Sequence, residues 1–157
     1  MKYIFDNNTL SGIFRHYYRD SFSSFWILFD KMVIEGNIIS VREVHNEIKK
    51  LTRKDELETW AKSNSKFFHD PTTEELQFIT KIYSVSHFSN SISQQKLLKG
   101  GPFADPFIIA KAHAENATVV SEEKLKPNAA KIPNICEHFK IPCINFQIFL
   151  KQNNWNF

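Results

Sequence analysis

The stretch that decides the fold is MKYIFDNN, residues 1–8. Its apolar run, residues 3–5, is short enough for a buried strand and is followed at once by the polar residues Asp6, Asn7 and Asn8. An apolar run bounded in this way is typical of a strand inside a sheet. We therefore predict a first strand that brings the Asp6 carboxylate to the edge of a sheet, and a short helix capped by Ser11 after it.

The rest of the chain alternates between helix and strand patterns. Apolar residues at three- and four-residue steps predict a helix over 22–33 that Gly36 ends, and residues 37–40 form a second short strand pattern. Residues 84–93 are ambiguous, and residues 97–101 are typical of a helix end and a turn. Further helices are predicted from Ser40, at 55–63, from the capping box that Thr72 opens, from Asp105, at 135–139 and at 146–152, and further strands at 118–120 and 143–144. This alternation predicts an α/β fold with a largely parallel sheet, and without repeats or linkers we expect one domain over 1–157.

Composition excludes several classes of protein. The chain has 157 residues, of which 42% are hydrophobic and 24% charged, with a net charge of +3, so a buried core is expected and disorder is not. No apolar stretch approaches the roughly 20 residues of a membrane span, and we expect a cytoplasmic protein. Cys136 and Cys143 lack the spacing of a zinc site, and four glycines leave little room for a phosphate-binding loop.

Carboxylates recur where the predicted elements begin and end. In a parallel sheet, strand ends and the adjoining helix starts gather along one edge, where such proteins place their sites. Clustered carboxylates raise one another's pKa, and a hard divalent cation such as Mg²⁺ or Mn²⁺ removes that conflict. Two such ions, about 4 Å apart, could orient a water and stabilise the leaving oxygen of a phosphodiester. The acids expected at this edge are Asp6, Glu43, Glu47, Asp105, Glu122 and Glu123.

Some of these acids also have a purely structural explanation. Asp105 precedes Pro106 and has the pattern of a helix cap followed by proline at the first helical position. Glu43 lies three residues after Ser40, which completes a capping box, so we interpret Glu43 as structural.

For the other acids, the case for a purely structural role is weaker, and it differs from one acid to the next. Glu47 shares a helical stripe with apolar residues, and an acid that borders a core needs a partner, which favours a site. Glu122 and Glu123 could be ordinary loop charges. Asp6 is the hardest to dismiss, because a buried strand leads directly to it. No single acid decides the question, and their shared edge favours the functional interpretation.

Four stretches, in order, resemble the motifs of the PIN-domain nucleases. They are YIFDNNTL, SVREVHNEI, GGPFADPFIIAKA and TVVSEEK, and they place the motif residues at Asp6 with Asn8, at Glu47, at Asp105, and at Ser121 with Glu123. The order covers nearly the whole chain. Trp60 and the closing stretch IPCINFQIFL are similar to a subgroup of bacterial PIN proteins, DUF4411-like, that is related to VapC-type toxins.

The resemblance implies a PIN-like three-layer α/β/α sandwich and a Mg²⁺- or Mn²⁺-dependent endoribonuclease. It further implies the toxin of a type II toxin–antitoxin pair, a cognate antitoxin that folds on binding, and a homodimer. Asp6, Glu47 and Asp105 would hold the ion, and Glu123 would complete the site or hold a second ion. Asn8 and Ser121 would orient ligands or water.

This sequence departs from the family pattern at the fourth motif. The fourth acid is usually Asp, and here Glu122 and Glu123 compete for the position with longer side chains that could loosen a second metal site. Ser121 replaces a more usual Thr and keeps the hydroxyl. Two other functions therefore stay open: a weak or inactive RNA- or protein-binding module on the same fold, and a nuclease that cuts DNA.

Basic and aromatic residues near the predicted edge could contact RNA, although each also fits an ordinary surface or core role. Tyr17 and Tyr18 could stack on bases or pack in the core, and the histidines are interpreted as surface or packing residues. An antitoxin groove over residues 55–93 is a further expectation. The basic candidates are Arg15, His16, Arg19, Lys49, Lys50, Arg53, Lys54, Lys96, Lys99, Lys124 and Lys126, and the other histidines considered are His45, His87 and His113.

Overall fold

The computed structural model describes residues 1–51, 55–99 and 103–157. The strands in these ranges are β1 (Tyr3–Phe5), β2 (Ile38–Val41), β3 (Phe68–His69), β4 (Thr118–Val120) and β5 (Cys143–Ile144). The helices are α1 (Asn7–His16), α2 (Ser23–Ile34), α3 (Arg42–Lys50), α4 (Glu56–Ser63), α5 (Thr73–Ser84), α6 (Ser86–Lys99), α7 (Asp105–Glu115), α8 (Ile132–His138) and α9 (Phe146–Gln152). A short 3-10 turn, Ser65–Phe67, precedes β3.

The five strands form one sheet in the order β3-β2-β1-β4-β5, and every neighbouring pair is parallel. In the central strand, Ile4 is paired with Ile39 on one side and Val119 on the other. Every residue of β1, β2 and β4 is buried, which is expected of a parallel sheet covered by helices on both faces. The predicted α/β fold is therefore confirmed, with the layered arrangement that the resemblance implies.

Local sequence signals account well for several elements. Helix α2 buries Phe25, Trp26 and Phe29 at helical spacing, and Gly36 follows it with a φ of 71°, a left-handed conformation that favours glycine. Helix α5 begins with the predicted capping box between Thr72 and Glu75, both halves of which are formed. These predictions were confirmed because each depends only on residues close together in sequence.

The starts of three helices differ from prediction. Helix α1 begins directly after Asp6, whose carboxylate caps it, so Ser11 lies inside the helix instead of starting it. Helix α3 starts after Val41, because Ser40 belongs to β2 and donates its hydroxyl hydrogen to the Phe5 carbonyl at 2.6 Å. Helix α7 has Ala104 as its N-cap, so Asp105 is the first helical residue and does not cap the helix.

The middle of the chain holds elements that the sequence did not predict. The two-residue strand β3 extends the sheet beyond β2, and residues 84–93 fall mostly within α6. Leu51, which directly follows α3 and continues the apolar stripe that includes Val44 and Ile48, is 44% exposed. The predicted turn residues Gly100 and Gly101 and the basic candidates Arg53 and Lys54 lie outside the described residues, as does the side chain of Lys99.

None of the helices in the described ranges is both long enough and apolar enough to cross a membrane.

Candidate active site at the carboxyl edge of the sheet

Asp6 lies at the centre of the carboxyl edge and is almost completely buried, with 3% of its surface exposed. Its Oδ1 accepts a hydrogen bond from the Thr9 amide at 2.7 Å, and its Oδ2 accepts one from the Ser121 hydroxyl at 2.7 Å. Burial raises the pKa of the Asp6 carboxyl, the bonds from Thr9 and Ser121 lower it, and the charge of Glu123 raises it again, with a net upward shift. The carboxylate is thus fixed in orientation and poorly solvated.

Ser121 connects Asp6 to the loop after β4. Its hydroxyl donates to Asp6 and accepts a hydrogen bond from the Glu123 amide at 3.2 Å. Thr9 ties the same two segments together, because its hydroxyl donates to the Val120 carbonyl at 3.1 Å. The first and fourth predicted motifs are therefore in direct contact through side-chain hydroxyls.

Glu47 connects the other two motifs. Its Oε1 accepts a hydrogen bond from the Ala104 amide at 3.0 Å, and its Oε2 accepts one from the side-chain amide of Asn7 at 3.3 Å. Asn7 directly follows Asp6, and Ala104 directly precedes Asp105. The carboxylate of Glu47 thus lies between the starts of α1 and α7, beside the residues that flank Asp6 and Asp105.

Asp105 is half-buried in the first turn of α7, where the helix dipole favours a negative charge. The pKa of the Cys136 thiol in α8 is raised, first by its hydrogen bond with Cys143, then by burial, and also by the charge of Asp105. Asp105 therefore lies close enough to α8 for its negative charge to raise the pKa of a thiol in that helix. The start of the same helix is bound by Glu123, whose Oε2 accepts a hydrogen bond from the Ile132 amide at 2.9 Å.

Glu122 and Glu123 point to different helices. Glu122 is exposed, and its Oε1 accepts a hydrogen bond from the Phe146 amide at the start of α9, at 2.8 Å. Glu123 is half-buried, binds the start of α8 and lies near enough to Asp6 to raise its pKa. Of the two competing acids, Glu123 is the one placed with Asp6.

Glu43 does not form the capping box predicted for it, because Ser40 is turned toward Phe5 and the N-cap of α3 is Val41. Glu43 is 5% exposed, and its Oε1 accepts hydrogen bonds from the Arg42 guanidinium at 2.8 and 3.2 Å. Its Oε2 is buried and has no hydrogen-bond partner within the described ranges. Glu43 lies one helical turn before Glu47, on the same face of α3.

Asn8 is not placed as the sequence suggested. It is exposed on α1, and its side chain makes no hydrogen bond with any residue that the structure describes. Its neighbour Asn7 contacts Glu47 instead, and Asn7 also accepts a hydrogen bond from the Ser11 hydroxyl at 3.1 Å. The signal that could have identified Asn7 is the cap at Asp6, which sets the phase of α1 and turns residue 7 toward α3.

Several basic candidates have structural roles. Arg19 binds Asp30 at 2.8 Å and lies 4.0 Å from the centre of the Trp26 ring, and Lys96 lies 4.9 Å from the Tyr83 ring. The histidines His45 and His113 stack on Phe68 and Phe78, in line with the packing role expected of them. The candidates that remain exposed in the described ranges are Arg15, His16, Lys49, Lys50, Lys124 and Lys126.

The described residues do not form a preassembled metal site: within residues 1–51, 55–99 and 103–157, no three His, Cys, Asp or Glu side chains are grouped to hold an ion. The oxygens of Asp6, Glu47 and Glu123 accept hydrogen bonds instead. The donor chemistry nevertheless fits a hard divalent cation, because the acids offer only carboxylate oxygens and Oε2 of Glu43 is buried with no hydrogen-bond partner among the described residues. A carboxylate oxygen has two lone pairs, so one hydrogen bond does not prevent it from binding a cation.

An α/β protein with acids along the carboxyl edge of an open parallel sheet belongs to a class that binds its ligands at that edge. The family described as "Domain of unknown function (DUF4411)" matches residues 3–157. The chain therefore belongs to the DUF4411 family, which is the subgroup that the sequence motifs indicated. A comparison with curated proteins found no significant match.

Two solved structures align with this chain over most of its length. One is VapBC2 from Rickettsia felis bound to a DNA fragment from their promoter, with 15% identity, coverage of 93% of this chain and 99% of the other, and a TM-score of 0.49. The second is PAE2754 from Pyrobaculum aerophilum, with 14% identity, coverage of 97% and 96%, and a TM-score of 0.48. At these identities the likeness says nothing about activity.

Proposed function

We propose that this protein is a divalent-metal-dependent endoribonuclease, the toxin of a type II toxin–antitoxin pair in the cytoplasm. The observation that carries the proposal is the position of Glu47. Its carboxylate accepts hydrogen bonds from Asn7 and Ala104, which directly adjoin Asp6 and Asp105 in the sequence. The buried carboxylate of Asp6 next to Glu123 supplies the unneutralised negative charge that a cation would stabilise.

Asp6, Glu47 and Asp105 would hold the Mg²⁺ or Mn²⁺ ion, with Glu123 completing the site. When bound, the ion supplies positive charge that activates a water and stabilises the leaving oxygen of the phosphodiester. Thr9 and Ser121 keep the two Asp6 oxygens in fixed directions through their hydrogen bonds. Asn7 holds Glu47 in the same way, and takes the role that the sequence assigned to Asn8.

The first test is digestion of a structured RNA by the purified protein with Mn²⁺. We expect cleavage that excess EDTA stops, and a loss of at least about a hundredfold in Asp6→Asn, Glu47→Gln and Asp105→Asn, because even outer partners of metal ligands are worth about 10- to 100-fold. Asp70→Asn is the matched control, since Asp70 also follows a strand at this edge but its side chain is 81% exposed. Cleavage that continues unchanged in Asp105→Asn or in EDTA contradicts the proposal.

A second candidate function is a module on the same fold that binds RNA or protein without cutting. The observation that favours it is that Glu122 and Glu123 both accept backbone amides at helix starts. It predicts RNA binding of equal strength in the protein and in Asp6→Asn, with no cleavage by either. Digestion of matched RNA and DNA separates both functions from a DNA-directed nuclease.

The partner part of the proposal is tested separately. Co-expression with the product of the adjacent gene should relieve growth arrest and yield a stable complex, and light scattering should give the mass of a homodimer for the protein alone. If the protein arrests growth equally with and without every neighbouring gene product, the toxin–antitoxin assignment is wrong, while the nuclease assignment stands on the digestion assay.

A further inference from the structure

A groove between α1 and α9 opens beside the acids, with a volume of about 450 Å³. Helix α1 and the residue after it form one wall, and the start of α9 with the loop after β4 forms the other. The residues that matter here are Thr9, Gly12, His16, Tyr17, Glu122 and Phe146.

The groove is continuous with the candidate active site. Thr9 lines the groove and its amide donates to Asp6 at 2.7 Å. On the opposite wall, Glu122 directly follows Ser121, which donates to the other Asp6 oxygen. A nucleotide whose phosphate lies at Asp6 would therefore have its base, or that of its neighbour, at the mouth of the groove.

The walls combine aromatic faces with hydrogen-bonding groups. The rings of Tyr17 and Phe146 lie 5.7 Å apart at 87°. Glu122 uses one oxygen to accept the Phe146 amide, and its other oxygen accepts no hydrogen bond from the residues that the structure describes. His16 contributes an exposed imidazole at the end of α1. An unpaired base is bound by such a set, since it stacks on aromatic rings and hydrogen-bonds through its edge.

We propose that this groove binds one unpaired nucleobase of the RNA strand, next to the phosphodiester held at Asp6. The proposal rests on the proposed function and extends it to the substrate. A phosphate is excluded as the occupant because the Glu122 carboxylate would repel it, whereas a base edge offers N–H groups to that carboxylate. An apolar side chain of a partner protein would cover the rings but leave Glu122 and His16 without partners.

Gly12 allows a direct test. A Cβ atom added at Gly12 would meet no heavy atom within 4 Å, so the residue faces open space in the groove wall. Gly12→Leu would place a branched side chain where the base is proposed to lie, and leucine is a good helix former. Gly12→Ala is the matched control, because it makes the same helical change and adds a single methyl group.

The experiment measures binding of short single-stranded RNA by fluorescence anisotropy with Ca²⁺ in place of Mn²⁺, so that a divalent cation still neutralises the acids, and cleavage of the same RNA with Mn²⁺. We expect Gly12→Leu to weaken binding about tenfold and Gly12→Ala less than about twofold, since stacking of one base is worth roughly 5- to 150-fold. Replacing each base in turn by an abasic sugar should reveal one position that costs the wild-type protein about tenfold and costs Gly12→Leu nothing further.

The possible failures point to different conclusions. If the wild type cuts the RNA but Gly12→Leu binds and cuts as Gly12→Ala does, or no abasic position matters, the base groove is wrong and the nuclease stands. If the wild type neither binds nor cuts RNA, both proposals are wrong. If Gly12→Leu loses only the complex with a co-expressed protein partner, the groove receives a peptide and the base proposal is overturned.

Discussion

Two buried carboxylates in this protein, Glu75 and Asp6, differ in whether a positively charged side chain pairs with them. Glu75, in α5, is 2% exposed and forms an ion pair of 2.6 Å with Lys111 of α7, whose side chain is 3% exposed. Its other oxygen accepts the Thr72 amide at 3.1 Å. Asp6 is 3% exposed, and across the described ranges no Lys, Arg or His forms an ion pair with it; its partners are an amide and a hydroxyl. Among the residues that the structure describes, a lysine supplies the positive charge for Glu75, and none does so for Asp6.

This difference indicates that Glu75 contributes to stability and that Asp6 is available for function. The buried ion pair between Glu75 and Lys111 joins α5 and α7. Removing either partner would leave the other charge buried and unpaired, which strongly lowers the free energy of unfolding. A buried charge that is hydrogen-bonded but not neutralised remains able to bind a cation from outside. We therefore expect substitutions at the two places to change stability in opposite directions, and the predictions below test that contrast.

The largest effect is expected at the buried ion pair. Lys111→Met leaves the Glu75 carboxylate buried without its cation and should lower the free energy of unfolding by about 3–5 kcal/mol. The double variant with Glu75→Gln should recover most of this loss. Chemical denaturation measures both.

Lys2→Met is the control for the ion pair, because Lys2 binds Glu115 at 2.8 Å but its side chain is 44% exposed, and such pairs are worth about 1 kcal/mol or less. If Lys2→Met and Lys111→Met lower the free energy of unfolding equally, burial does not make the Glu75–Lys111 pair more important to stability than an exposed pair.

The next effect is expected at Ser121, a positioning residue. Ser121→Ala removes the bond to Asp6 and leaves the Glu123 amide without its acceptor, so cleavage should fall about 10- to 100-fold. Ser121→Thr should restore most of the activity, because it keeps the hydroxyl. Ser84→Ala, which removes an exposed hydroxyl bonded to the Lys81 carbonyl, is the control. Failure of the Thr variant to rescue cleavage would point to a packing role.

A gain in stability is expected from Asp6→Asn in metal-free buffer. Asparagine also caps helices and keeps an oxygen for the Thr9 amide, while the poorly solvated charge disappears. We expect the free energy of unfolding to rise by about 0.5–2 kcal/mol, which is the usual size of a stabilising substitution. Such a substitution at a functional residue commonly costs activity. A loss of stability in calorimetry would show that the Asp6 charge is structural, and would remove the contrast with Glu75.

The smallest effect concerns His69, near the Glu75–Lys111 pair. Burial lowers the pKa of His69 below its ordinary value of 6.5, and Lys111 and Lys2 lower it while Glu115 and Glu75 raise it. The unfolded chain therefore binds a proton more readily, so stability is lost as the pH falls through 6.5 toward the folded pKa. His69→Gln should reduce this loss, by less than about 1 kcal/mol for a half-exposed group. Identical unfolding curves for both proteins between about pH 7 and pH 5 contradict it.

Much of the fold followed from short-range patterns. The predicted strands at 3–5, 37–40, 118–120 and 143–144 are all present to within one residue, because apolar runs bounded by polar residues have few other solutions. Strand β3 was missed because it directly follows the 3-10 turn Ser65–Phe67, so that no polar residue marks where the strand begins. That the 157 residues form one domain, and that 55–93 form an antitoxin groove, stay predictions.

The candidate site was only partly predictable. The expected positions of Asp6 and Asp105 at the carboxyl edge follow from a strand end and a helix start, and Glu47 was assigned to the site because it borders the apolar stripe of its helix. The exchange of Asn8 for Asn7 and the lost capping box of Glu43 do not, because they depend on where α1 and α3 begin, and helix boundaries are the least certain part of a sequence-based prediction.

The sequence by itself determined the alternation of helices and strands, the resemblance to the family, and the position of Asp6 at the end of the first strand. Periodicity assigns each side chain to a face, which is enough for these conclusions. Only the tertiary structure decided which atoms meet: that Glu47 accepts the Ala104 amide, that Glu75 finds Lys111, and that Asp6 finds no cation in the described ranges. The reason is that partners distant in sequence are chosen by packing in three dimensions, which no local pattern encodes.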